Sequence, residues 1–170
     1  MMHYSQNRAM VSALALSLMA TAGWSQSLTW LGVLPGGTRS SALGVSADGQ
    51  VVVGISEIAV NVSRAFRWRA GVMEDLGTLG GNFSTASSVS ADGRVVVGVA
   101  HNSAAQSRAF RWENGQMVNL GTLPGYNFSG ATGVSADGRV IVGWLNSGAT
   151  QARAFRWENG QMVNLGTLGG

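Results

Sequence analysis

The sequence predicts an all-β fold assembled from tandem four-stranded units, and three observations carry that prediction. One block, about 44 residues long, recurs three times after residue 30. Glycine falls at fixed places in each block, beside Asp or Asn, where tight turns between short strands need it. Beyond the N-terminus no window shows the apolar period of a helix, because glycine and β-branched residues interrupt each one.

The recurrence is legible residue by residue. Val45-Ser46-Ala47-Asp48-Gly49 returns at Val89–Gly93 and Val134–Gly138, at spacings of 44 and 45. Arg64-Ala65-Phe66-Arg67-Trp68 returns at Arg108–Trp112 and Arg153–Trp157. Leu76-Gly77-Thr78-Leu79 returns at Leu120–Leu123 and Leu165–Leu168, with a looser copy at Leu31-Gly32-Val33-Leu34. The units cover residues 38–79, 83–123 and 127–168.

The third unit shows the expected elements in order. Ala131–Ser135 is the first strand, and Ala136-Asp137-Gly138 is a turn. Arg139–Leu145 is the second strand, rich in β-branched Val140, Ile141 and Val142. Asn146–Ala152 is a polar loop, and Arg153–Glu158 is the third strand. Asn159-Gly160 signals a type I′ hairpin into a fourth strand, Gln161–Leu168. Connections this short make the four strands an antiparallel meander. Leu28–Leu34 is expected as a leading strand equivalent to the fourth.

Phe155 and Trp157 share one face of the third strand, and Ala154 and Arg156 share the other. Three consecutive branched residues in the second strand require apolar burial on both faces. Small sheets buried on both faces and repeated in tandem pack face to face, as in a β-propeller, and the period fits propeller repeats. A stacked β-solenoid is the runner-up, but its repeats are shorter and carry fewer hairpins. Propellers close with about four to eight blades. Three blades and a leading strand are therefore expected to be a partial, propeller-like arrangement. A piece of a longer array is the leading explanation, since open edges invite aggregation. An open arc, or a ring completed by other chains, are the alternatives.

Residues 1–22 read as a signal peptide. Arg8 supplies the basic start, an apolar run extends from Ala9 to about Ala20, and Ala20-Thr21-Ala22 offers small residues for cleavage. The run is short for a membrane span, although an uncleaved anchor is the competing reading. The mature domain, residues 23–170, then carries no membrane span and is secreted, periplasmic or displayed on a bacterial surface. With no cysteine, disulfides and Cys-based metal sites are excluded. The net charge of +3 is spread over the repeats without a basic stripe, which argues against nucleic-acid binding.

At these motifs the chain resembles the HAF-repeat family of bacterial extracellular proteins. The hallmarks stand at Ser90-Ala91-Asp92-Gly93, Val96-Val97-Gly98, Ala109-Phe110-Arg111-Trp112, Gly115-Gln116-Met117 and Leu120-Gly121-Thr122-Leu123. The likeness covers about residues 28–170. Arg replaces His before Ala-Phe in all three units, Pro124 replaces the first Gly of one Gly-Gly pair, and Pro35 precedes Gly36-Gly37. The resemblance implies export and a propeller-like fold. It implies no reaction and no cofactor.

Candidate chemistry is sparse. Asp48, Asp92 and Asp137 stand one to a turn, where a carboxylate serves local backbone hydrogen bonds rather than calcium, which wants several oxygens together. His101, beside Asn102 in a variable segment, has no histidine at the equivalent positions and no evident triad. Arg67, Arg111 and Arg156 lie opposite the Phe and Trp of their strands. They read as inter-blade arginines stacked on an aromatic ring or paired with an Asp, or as a basic ring for an anionic ligand such as an acidic glycan. The segments 56–63, 100–107 and 145–152 differ between units and are expected as loops that carry specificity. Asn82-Phe83-Ser84 and Asn127-Phe128-Ser129 match glycosylation acceptors, a coincidence in a bacterial protein. No catalytic residue, metal ligand or cofactor is expected.

The function these features predict is a secreted or surface-exposed, non-enzymatic repeat domain. It presents a binding surface to an extracellular protein or glycan, with Arg67, Arg111, Arg156, His101 and Asn102 as candidate contacts. The alternatives are part of a polysaccharide-active enzyme with its catalytic residues in further repeats, and a structural passenger of an autotransporter-like protein.

Overall fold

The computed structural model describes residues 28–148 and 152–167. The signal-peptide reading of residues 1–22 lies outside the described residues. Twelve strands make three four-stranded meanders. Blade 1 comprises β1 (Arg39–Val45), β2 (Val51–Ala59), β3 (Val62–Arg69) and β4 (Val72–Asp75). Blade 2 comprises β5 (Gly80–Val89), β6 (Val96–Asn102), β7 (Ser107–Glu113) and β8 (Gln116–Asn119). Blade 3 comprises β9 (Phe128–Val134), β10 (Ile141–Asn146), β11 (Arg153–Glu158) and β12 (Gln161–Asn164). Pairing inside each blade is antiparallel throughout. No helix among the described residues is long and apolar enough to cross a membrane.

The blades pack face to face. Val51, Val53, Ala65 and Leu76 of blade 1 meet Ala86, Val89, Val96, Phe110 and Trp112 of blade 2. Val95, Val97 and Ala109 of blade 2 meet Ala131, Ile141, Leu145 and Phe155 of blade 3. Val96 therefore faces one neighbour while Val95 and Val97 face the other, which is the two-sided burial expected of that strand.

The Ser-Ala-Asp-Gly turn is a closed hydrogen-bond unit. Ser90 Oγ donates to Asp92 Oδ1 at 2.6 Å and accepts the Val95 N–H at 3.0 Å. Asp92 Oδ1 also accepts the Arg94 N–H at 3.0 Å. Gly93 takes a φ of 73°, which glycine adopts at no steric cost. The Asn-Gly hairpins have positive φ at both central residues, 51° at Asn159 and 79° at Gly160, as a type I′ turn demands.

Three expectations need correction. Leu28–Leu34 is not a strand, and the fourth strand of each blade stops before its Leu-Gly-Thr-Leu segment. The glycine of that segment has φ near 80° (88° at Gly32, 78° at Gly77 and 79° at Gly121), which turns the chain out of the sheet. The first two variable segments are also smaller than expected, and residues 149–151 of the third lie outside the described residues. Residues 56 and 57 pair with both β1 and β3, the register with β3 shifts between Glu57 and Ala59, and β2 runs on to Ala59, so Val60 and Asn61 alone make the turn. Asn102 likewise ends β6, and only 103–106 remain as loop.

Candidate functional site

Each blade sends its Ser-Ala-Asp-Gly turn and its second hairpin (Ala70-Gly71, Asn114-Gly115 or Asn159-Gly160) to one rim of the molecule. At that rim a groove of about 400 Å³ runs between blades 2 and 3. Asp92, Arg94, Arg111, Glu113, Asp137, Arg139 and Trp157 line it. Arginines and acids alternate over an indole, so the groove suits a neutral or mixed-charge polar partner better than a strongly anionic one.

The groove exists because equivalent arginines behave differently. Arg67 reaches across from blade 1, where its Nε donates to Gly93 O at 3.2 Å and its guanidinium lies 5.5 Å from the Trp112 ring centroid. It thereby fills the space between blades 1 and 2, and Trp112 is 5% exposed. Arg111 instead turns to Glu113 at 2.8 Å, and the equivalent indole, Trp157, is left lining an open groove. Two differences between the blades accompany this. Blade 1 has Arg69 where blade 2 has Glu113, and it has Glu74, which pairs with Arg67 across the strands at 3.4 Å, where blade 2 has Val118 opposite Arg111. Arg156 pairs with Glu158 at 2.8 Å in the same way.

The candidate contacts are thus not gathered into one site. Arg67, Arg111 and Arg156 stand on three blades, and each has an acidic partner, Glu74 at 3.4 Å in the case of Arg67. His101 packs on Phe83, ring centroids 4.9 Å apart. Asn102 is engaged by its own loop, its Oδ1 accepting the Ala104 and Gln106 N–H groups at 3.0 and 2.9 Å. Of these five residues, only Arg111 lines the groove. No group of three or more His, Asp or Glu side chains able to hold a metal occurs among the described residues.

The carboxyls of Asp48, Asp92 and Asp137 are held below the ordinary value, first by the serine hydroxyl of their turn and then by the N–H two residues on. They are ionised turn braces facing solvent, not proton donors at neutral pH.

Sequence reasoning missed Ser84 and Ser129. Ser84 Oγ accepts the Ala65 N–H of blade 1 at 2.8 Å and donates to Gly77 O at 2.6 Å. Ser129 does the same with Ala109 and Gly121, at 2.9 and 2.6 Å. Both are fully buried. The glycosylation-like triplets recur because their serine staples adjacent blades.

No family model matches the sequence, and no curated protein matches it. Solved structures do resemble the fold. TolB from Acinetobacter baumannii aligns at a TM-score of 0.57 with 15% identity, covering 76% of this chain and 32% of that one. A putative TolB from Agrobacterium tumefaciens aligns at 0.56 with 17% identity, covering 76% of this chain and 50% of that one. TolB is a β-propeller protein, and this chain is propeller-like in fold. It spans between a third and a half of the length of these relatives.

Proposed function

We propose that this chain is an exported, non-enzymatic, propeller-like domain of the HAF-repeat type. It binds an extended polar segment of a protein partner in the groove between blades 2 and 3. The carrying observation is the withdrawn Arg111, which leaves Trp157 at an open groove of about 400 Å³ with fixed charges of both signs on its walls. An indole beside alternating guanidinium and carboxylate groups offers stacking and charge-assisted hydrogen bonds to a backbone and its side chains. The N-terminal signal pattern supports export, and the likeness to TolB supports a binding module by analogy of fold only.

Displayed peptide libraries selected on the purified chain test this reading. Glu113→Arg removes the glutamate that holds Arg111 and, with Val118→Glu to supply the equivalent of Glu74, recreates the blade 1 arrangement that lays the arginine over the next indole. Selected peptides should lose binding at least tenfold to the Glu113→Arg, Val118→Glu pair and to Trp157→Ala, while both variants keep the wild-type circular dichroism. Selection that enriches nothing, or peptides that bind both variants as well as wild type, would defeat the proposal.

A further inference from the structure

Between blades 1 and 2 the chain itself shows what the groove between blades 2 and 3 is shaped to hold. Arg67 crosses from β3 to blade 2, and three contacts define its seat. Its guanidinium lies 5.5 Å from the Trp112 ring centroid. Its Nε–H donates to Gly93 O at 3.2 Å. Its Nη1 pairs with Glu74 at 3.4 Å. The seated side chain is only 17% exposed, so these contacts act on a charge largely withdrawn from water, where a ring face attracts it most.

The same seat recurs one blade on, at a junction equally internal to the chain. Gly138 is the repeat equivalent of Gly93, and Trp157 is that of Trp112. Both glycines take a φ of 73°, and each donates its N–H to the serine carbonyl of its turn, so their own carbonyls are presented alike. Gly138 and Trp157 both line the groove. Arg111, the equivalent of Arg67, is held away from them by Glu113 at 2.8 Å. Asp92, Glu113 and Asp137 put carboxylates on the same walls, in the part that Glu74 plays for Arg67.

We propose that the groove takes an arginine of the bound segment as its anchor, with the guanidinium over Trp157 and an N–H on Gly138 O. This rests on the groove being the peptide site proposed above, and it names the side chain that site reads. A planar guanidinium stacks on a ring and still donates from its edge to a carbonyl and a carboxylate. A lysine ammonium is a compact, strongly hydrated charge with no plane to lay on the indole. A citrulline side chain keeps the plane and loses the charge.

Heteronuclear NMR of the isotope-labelled chain follows the indole N–H signals, and Trp157→Phe identifies the one that belongs to Trp157. N-acetyl-arginine methylamide should shift that signal to saturation. It should bind about tenfold more tightly than the lysine or citrulline counterpart, the worth of one desolvated cation–ring contact. The response should vanish in the Glu113→Arg, Val118→Glu pair, where the chain's own arginine takes the seat while circular dichroism stays that of wild type. No shift of Trp157, an equal response to lysine or citrulline, or a response that survives in the double variant would overturn the proposal. Selected peptides that depend on Trp157 yet carry no arginine would also overturn it and leave the groove reading standing. A saturable arginine response beside a library that enriches nothing would support the seat and defeat the peptide reading.

Discussion

Gly98→Ala is the sharpest test of how the blades are built. Gly98 lies in β6 without a positive φ, so backbone freedom is not its reason for being there. A Cβ would run into Thr85 O of the neighbouring strand, and would stand 2.9 Å from Phe110 Cε1 and 3.0 Å from Ala86 Cα. The strand register slips between Ala86 and Ser88, a bulge that brings β5 onto the glycine. Overpacking costs about 1–3 kcal/mol. Two of the three obstructing atoms are backbone held in a ladder, so relief is poor and the upper end, about 3 kcal/mol, applies. For a chain of this size that lowers the melting temperature by about 6–12 °C. Gly115→Ala is the control, because its φ is 80° with nothing within 4 Å. It carries only the left-handed backbone penalty, about 1 kcal/mol. Thermal unfolding followed by circular dichroism reads both. A Gly98→Ala variant that melts with wild type, or below which Gly115→Ala falls, would refute the close-approach argument. Gly54→Ala should behave like Gly98→Ala, since its Cβ meets Ser41 O, Phe66 and Ala42 in the same arrangement.

Three further outcomes are expected. Ser90→Ala leaves the Val95 N–H without its side-chain acceptor in a buried turn, and should cost about 1–3 kcal/mol in urea unfolding. The same variant removes the main cause holding Asp92 low, so an NMR titration should show that carboxyl moving up toward its ordinary value. Arg67→Ala should destabilise more than Arg111→Ala in matched urea melts. The first loses an indole contact and a hydrogen bond across blades, worth about 1–2 kcal/mol. The second loses a same-strand ion pair, worth about 0–1 kcal/mol. Acid should also weaken the fold through the turn carboxylates, whose folded pKa values lie below the ordinary 3.8. Their contribution is complete above that value and disappears as pH falls through the depressed folded value. Melting temperature against pH should therefore fall below about pH 4, with a smaller fall in Ser90→Ala.

The blade was legible because its signals are local. Asn159-Gly160 specifies a hairpin by φ alone, and Val95-Val96-Val97 specifies burial on two faces by alternation. Strand ends were harder. The Leu-Gly-Thr-Leu segment is apolar enough to pass for strand, yet Gly77, Gly121 and Gly166 sit near φ 75–80° and end the ladder. Its leucine is buried by the junction between blades, as Leu76 is, and not by its own sheet. Composition alone does not separate those two kinds of burial.

The groove was less legible because it depends on a difference between repeats that otherwise look the same. Arg-Ala-Phe-Arg-Trp is identical at residues 64–68, 108–112 and 153–157, and that identity reads as one structural role. The role instead varies with two neighbours, the next residue (Arg69, Glu113 or Glu158) and the residue opposite on the fourth strand (Glu74, Val118 or Val163). A glutamate two positions along a strand shares a face with the arginine and holds it by an ion pair of 2.8 Å. Where Arg69 stands instead, Arg67 pairs with Glu74 of the fourth strand and lies over the neighbouring indole. Repeat identity therefore marks the scaffold, and breaks in charge pattern beside it mark where the scaffold opens.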